Sequence, residues 1–462
     1  MIRKDPIIMK ITNLFYLALI TVFIANCSSD PKWETALLNG KITVADSVDN
    51  TGDYSDIEVL ITYQESIDSQ VDTLFSKKTN KTGIVKGKVK FPEKGVYPVF
   101  LKRYGNQVAA TQFILADKDT LTFSGELPGL NQNFEVDSRE HRAMNTYNRI
   151  AKGFTRVSAY ISAGAVEDSL IYGEVLKWSN LFWEIAQKDE NTLASNLASS
   201  ESVRLLNMIN KDLMMERIDE ALQYEGRIII AANYGFPYLS KNKGLDRGIS
   251  FLDSLSQLTD SEDAILNLDQ RKIEAFYDSS RVEEAKVSLE RFERKYKGNS
   301  NAMEWAKIIG YDLSYLAPGY RIPKFDFVTQ EGDSINAASL IGKPYILEIT
   351  PIASRLYQNQ YDRTVVIHQI YQNYDLEIFT IPLDKSEVTV NAFFEERVKH
   401  WSVAAFDSFD IQKLVETFNV TDVPTRILVD QKGNIVRKYV ATEFTDVIQG
   451  MNTIINQTKR ES

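Results

Sequence analysis

The period of the apolar residues changes twice along this chain, and each change limits what the next stretch can fold into. Between Leu37 and Asp137 they fall in short β-branched or alternating runs, among them GKITV, IEVLITY, GVYPVFLKRY and DTLTFSGEL. Turns such as NKTG and KRYGN separate these runs. Alternation sends successive side chains to opposite faces, so each run reads as a strand with one buried face. Runs at this spacing predict an antiparallel β sandwich or barrel-like domain over 37–137. From Ser138 to Ala317 apolar residues instead recur every three or four positions, which predicts a helical segment over 138–317. Ala285, Leu289, Phe292 and Tyr296 share one such face, with charges opposite. From Pro318 onward strands and helices alternate, an α/β pattern. The expected fold class is multidomain α+β.

A chain of 462 residues exceeds one ordinary core, in keeping with several domains. Its net charge of -10 and scattered bases argue against a nucleic-acid partner, which needs a concentrated cationic surface. The two helical runs between Glu262 and Gly298 resemble a tetratricopeptide-type hairpin, but one copy does not make a repeat array.

The N-terminus reads MKITNLFYLALITVFIANCSSD from Met9, with Met1 and Met9 both available as starts. Its apolar run, Leu14 to Ile24, is too short to span a bilayer and is followed by small and polar residues, as in a signal peptide. Ile24-Ala25-Asn26-Cys27 resembles the lipobox of bacterial lipoproteins, with Asn26 bulkier than usual. The resemblance implies a signal peptide over 1–27, a lipid on Cys27, a tether over 28–36, and a membrane-anchored protein of the cell envelope. Cys27 is also the chain's one cysteine, so no internal disulfide can form.

The C-terminal stretch carries a second resemblance. Gly319-Tyr320-Arg321-Ile322-Pro323-Lys324-Phe325-Asp326-Phe327, a turn at Gln330–Asp333, SINAASLIGKPYILEI, DLEIFTIPLD and LVETFNVTDVPTRILVDQKGNIVRKYV follow one another in order. This resembles the TlpA/ResA-like thioredoxin-fold proteins and implies such a domain over 318–458. It implies a cis peptide bond before Pro424, with the backbone of Val423 turned toward the site as a candidate binding groove. It also places Ser354 and Tyr357 where the family's two redox cysteines stand. A hydroxyl cannot form the mixed disulfide of thiol exchange, so the site reads as degenerate.

Other chemistries find no support. Ser354 lacks a nucleophile elbow, and His368 lies about four helical turns away. His141, His368 and His400 form no ligand-spaced cluster, so no metal, cofactor or catalytic residue is expected. Ser354 reads as a helix cap, and Tyr357 as an amphipathic recognition surface. Three functional readings stand. The first is a redox-inactive envelope lipoprotein that binds a peptide, protein or small ligand. The second is a thiol-disulfide oxidoreductase relative acting with a cysteine-bearing partner. In the third, the thioredoxin-like domain only packs, and the β or helical domain carries the function.

Overall fold

The computed structural model describes residues 33–64, 70–224, 226–395 and 397–461. The chain forms two compact units that divide between Tyr234 and Gly235.

In the first unit, eight strands build two sheets: β1 (Glu34–Val44), β2 (Ile57–Tyr63), β3 (Asp72–Lys78), β4 (Ile84–Phe91), β5 (Gly95–Arg103), β6 (Asn106–Leu115), β7 (Thr120–Leu127) and β8 (Glu135–Asp137). One sheet runs β4-β1-β7-β8 and the other β3-β2-β5-β6. Their inward residues, including Leu38, Ile42, Val59, Val99, Phe113 and Phe123, share one core. The expected antiparallel character holds with one exception: β1 and β7 pair in parallel. Parallel neighbours need a long crossover, and the strands β2 to β6 supply it. Gly40 on β1 sits over the Phe123 ring, where a Cβ would come within 2.2 Å of a ring carbon. Glycine is the residue that permits this close strand approach.

Four main helices complete this unit: α1 (Arg139–Ser162), α2 (Asp168–Lys188), α3 (Leu193–Ile209) and α4 (Lys211–Ala221). Buried Ala194, Ser195, Ala198, Ser199 and Ser202 give α3 a small-residue face. Ser179 of α2 bonds across to the Ser202 carbonyl at 3.0 Å. The start of α1 is tied to β6 through His141. Its Nε2 accepts from the Ile114 N–H at 3.3 Å, and its Nδ1 lies 3.0 Å from the Ser138 hydroxyl. Those partners require the neutral ring with the proton on Nδ1.

The second unit opens with α5 (Phe236–Lys243), α6 (Leu245–Leu255), α7 (Glu262–Asp278), α8 (Val282–Tyr296) and α9 (Ser300–Tyr311). The helices of 138–317 are thus shared between the two units. After α9 come a hairpin, β9 (Asp326–Val328) with β10 (Ser334–Asn336), and a five-stranded sheet. Its strands are β11 (Tyr345–Thr350), β12 (Glu377–Pro382), β13 (Ser402–Val403), β14 (Thr425–Val429) and β15 (Ile435–Val440), in the order β13-β12-β11-β14-β15. Helices α10 (Arg355–Tyr371), α11 (Glu387–Glu395), α12 (Ile411–Thr417) and α13 (Val447–Glu461) connect and flank them.

A buried polar staple holds the end of α9 to this sheet. Lys438 of β15 donates to both oxygens of Asp312 at 2.9 and 2.8 Å. The Asn419 amide donates to Asp312 at 2.8 Å and to the Ile308 carbonyl at 3.0 Å. Burial pulls the Lys438 ammonium below its ordinary range, and Asp312 opposes that shift.

Candidate functional site

Strand β11 is buried along its whole length, parallel to β12 on one side and antiparallel to β14 on the other. A sheet filled on both faces needs a continuous apolar run, and YILEIT supplies one except at Glu348 and Thr350. The chain leaves β11 through Pro351–Ser354 and enters α10. Asp384, at the end of β12 and nearly buried, holds this turn. Its two oxygens accept from the N–H groups of Ile352 and Ala353 at 2.5 and 3.0 Å. Gln358 adds a side-chain bond to the Ile352 carbonyl at 3.2 Å.

Ser354 occupies the cap position of α10 but makes no side-chain capping bond. Only its carbonyl joins the helix, accepting from the Gln358 N–H at 3.0 Å. The capping role expected from the sequence is met in position and not in chemistry.

Tyr357 departs further from expectation. Its side chain is fully buried, with ring centroids 5.7 Å from Phe393 and 5.9 Å from Tyr361. Burial first, then the nearby Glu348 and Tyr361, pushes its hydroxyl well above the ordinary tyrosine range. It offers no recognition surface. The reason lies in the helix period: Tyr357, Tyr361, Thr364, Ile367 and Tyr371 are the buried face of α10.

Val423 and Pro424 lead into β14, whose Thr425 pairs with Ile349 of β11. The Val423–Pro424 bond is cis. Pro424 is buried and Val423 partly exposed. Among the described residues, no hydrogen bond engages the Val423 N–H or carbonyl. His368 sits on the continuous α10, more than three turns beyond Ser354, against Trp401 at 5.8 Å. Burial, then His400, pulls its ring below the ordinary histidine range. Ser354 and His368 are therefore not brought together. Among the described residues, no cluster of three His, Cys, Asp or Glu could hold a metal ion. Cys27 lies outside the described residues.

The element that sequence reading missed is a charged pair beneath the site. Glu348 and Arg426 stand opposite each other in the β11–β14 register, and each side chain is essentially inaccessible. Thr380 donates to Glu348 at 2.8 Å, Trp401 donates to Thr380 at 2.8 Å, and Arg426 donates to Gln360 at 2.8 Å. The signal was a single acid in YILEIT and a single base in TRILV.

A family model described as Thioredoxin-like matches residues 350–435. The chain carries a TlpA/ResA-like thioredoxin-fold domain. A protein named thiol-disulfide oxidoreductase ResA from Bacillus cereus is 23% identical over 139 residues, spanning 30% of this chain and 79% of that protein. The protein of the same name from Bacillus anthracis is 22% identical over the same lengths. Among solved structures, the thioredoxin domain of a thiol-disulfide oxidoreductase from Bacteroides vulgatus is 17% identical. It covers 31% of this chain and 96% of its own, with a TM-score of 0.26. A thioredoxin-family thiol:disulfide interchange protein from Chlorobium tepidum is 19% identical, covering 29% and 96%, with a TM-score of 0.25.

Proposed function

We propose that the thioredoxin-like domain is a redox-inactive binding module on a lipid-anchored protein of the bacterial cell envelope. The observation that carries this reading is chemical: residues 318–462 contain no cysteine, and the one in the chain, Cys27, falls in the lipobox-like sequence. Thiol exchange needs a thiolate at the site, and Ser354 with a sealed Tyr357 supplies none. What the fold still offers is backbone. The uncommitted N–H and carbonyl of Val423, beside Pro424, suit an extended peptide that adds as a strand. The loop amides of Ile352 and Ala353 are already taken by Asp384, so recognition falls to the Val423 side.

Photo-crosslinking in cells from position 423, with position 432 as control, tests this. A discrete adduct from 423 that is absent from 432 is the expected result. Equal labelling from both positions, or none from 423, contradicts it.

The oxidoreductase names of the relatives favour a second reading, in which a partner brings the cysteines. It requires a disulfide-active protein that co-purifies with this chain and whose activity depends on it.

A further inference from the structure

The second unit also holds a cavity of about 350 Å³ that Val423 and Pro424 do not line. The cavity lies on the face of the sheet opposite Tyr357. Along β11, Ile346 packs with Tyr357 in one cluster, while Tyr345, Leu347 and Ile349 pack with Phe325, Leu414 and Phe418 in the other. The cavity is lined from this second face.

Its floor is aromatic. Phe325 and Phe418 meet edge to face at 6.2 Å, and Phe409 lies beside them. Its walls carry charge of both signs. Lys324 and Asp326 flank Phe325 where the chain enters β9, Asp407 precedes α12, and Lys413 lies within it. Among the described residues, none of these four side chains makes an ion pair or a hydrogen bond. Asp410, by contrast, is committed, since it accepts from the Lys413 N–H at 3.0 Å as the cap of α12.

All four side chains are exposed at the rim, so charge of both signs stands available to a ligand that reaches the phenylalanines. A pocket of this size with an apolar floor and a few polar groups is the usual form of a small-ligand site. We propose that it takes a zwitterion with an apolar or aromatic side chain, either a free amino acid or a short peptide. The ligand ammonium meets Asp326 or Asp407, its carboxylate meets Lys324 or Lys413, and its side chain covers the phenylalanines.

Ligand-observed NMR and calorimetry on the full chain test this with four probes: L-phenylalanine, the tripeptide Ala-Phe-Ala, phenethylamine and 3-phenylpropionate. The expected result is saturable binding of one or both zwitterions, at least about tenfold weaker for each single-charge analogue. The paired variants Asp326→Asn with Asp407→Asn, and Lys324→Met with Lys413→Met, should each weaken the zwitterion by a similar factor. Asparagine tolerates the left-handed backbone at 407, where φ is 58°, so that variant removes charge without forcing the turn. Preferential binding of L-phenylalanine identifies a free amino acid as the source, and preferential binding of the tripeptide identifies a peptide. Absence of saturable zwitterion binding up to about 10 mM overturns the proposal. So does equal binding of the single-charge analogues, or variants that fold and bind as the parent does.

Discussion

Glu348 and Arg426 face each other across adjacent antiparallel strands, an ion pair with neither side chain reaching solvent. Removing two charges from water is costly, and the pair offsets that only while both members are present with their hydrogen-bond partners Thr380 and Gln360. The Arg426 guanidinium also lies 4.1 Å from the centre of the Phe444 ring.

Glu348→Gln or Arg426→Met alone should therefore destabilise the second unit by about 3–5 kcal/mol, because each leaves one buried charge uncompensated. The double variant Glu348→Leu with Arg426→Met should recover most of the loss. Urea unfolding of the full chain measures this, and near-neutral single variants would contradict it.

Ser354 and Tyr357 should respond in opposite ways to alanine. Ser354 makes no capping bond, so Ser354→Ala should fall within about 0.5 kcal/mol of the parent, below the ~1 kcal/mol of a bonded cap. Tyr357 fills the core, so Tyr357→Ala should cost about 3–5 kcal/mol. A reversed order of the two unfolding midpoints would refute both assignments.

The Asp312–Lys438 staple predicts a proteolytic signature. Asp312→Ala leaves the Lys438 ammonium buried without its carboxylate and should loosen α9 from the sheet by about 3 kcal/mol or more. Limited proteolysis should then cut between residues 312 and 326 at protease levels that leave the parent chain intact. An unchanged digestion pattern would show that the staple does not hold the helix.

His141 sets a pH dependence in the first unit. Burial, which outweighs the opposing Asp119 and Asp137, holds its ring below the ordinary 6.5. The unfolded chain therefore takes up more protons than the folded one in the window just below that value. The stability that His141 contributes is complete above about pH 6.5 and is lost as pH falls below it. Gln at 141 can accept from Ile114 and donate to Ser138 without titrating. Thermal midpoints taken from about pH 7.5 to 5 should show the parent losing ground to His141→Gln. A constant difference across that range would rule out the assigned tautomer and its role.

Much of the fold was legible because the relevant forces are local. Alternation marked β1, where Leu38 and Ile42 face inward and Leu37 stays exposed, and the order of sequence words marked the thioredoxin-like sheet. The parallel β1–β7 pair was not legible, since nothing near either strand encodes a partner some eighty residues away. Tyr357 was misread for a different reason. Its place opposite a family cysteine implies a site residue, whereas its helix spacing through Tyr361, Thr364 and Tyr371 marks it as core. Glu348 and Arg426 each looked like an isolated exception, and only the strand register brings them together.

With no cysteine between residues 318 and 462, this thioredoxin-like domain should have no thiol chemistry of its own. Insulin disulfide reduction by the purified full chain with Cys27→Ser tests it most directly, with dithiothreitol as the electron source. The expected rate equals that of dithiothreitol alone. A rate above that background, in protein shown to be free of contaminating thioredoxins, would contradict it.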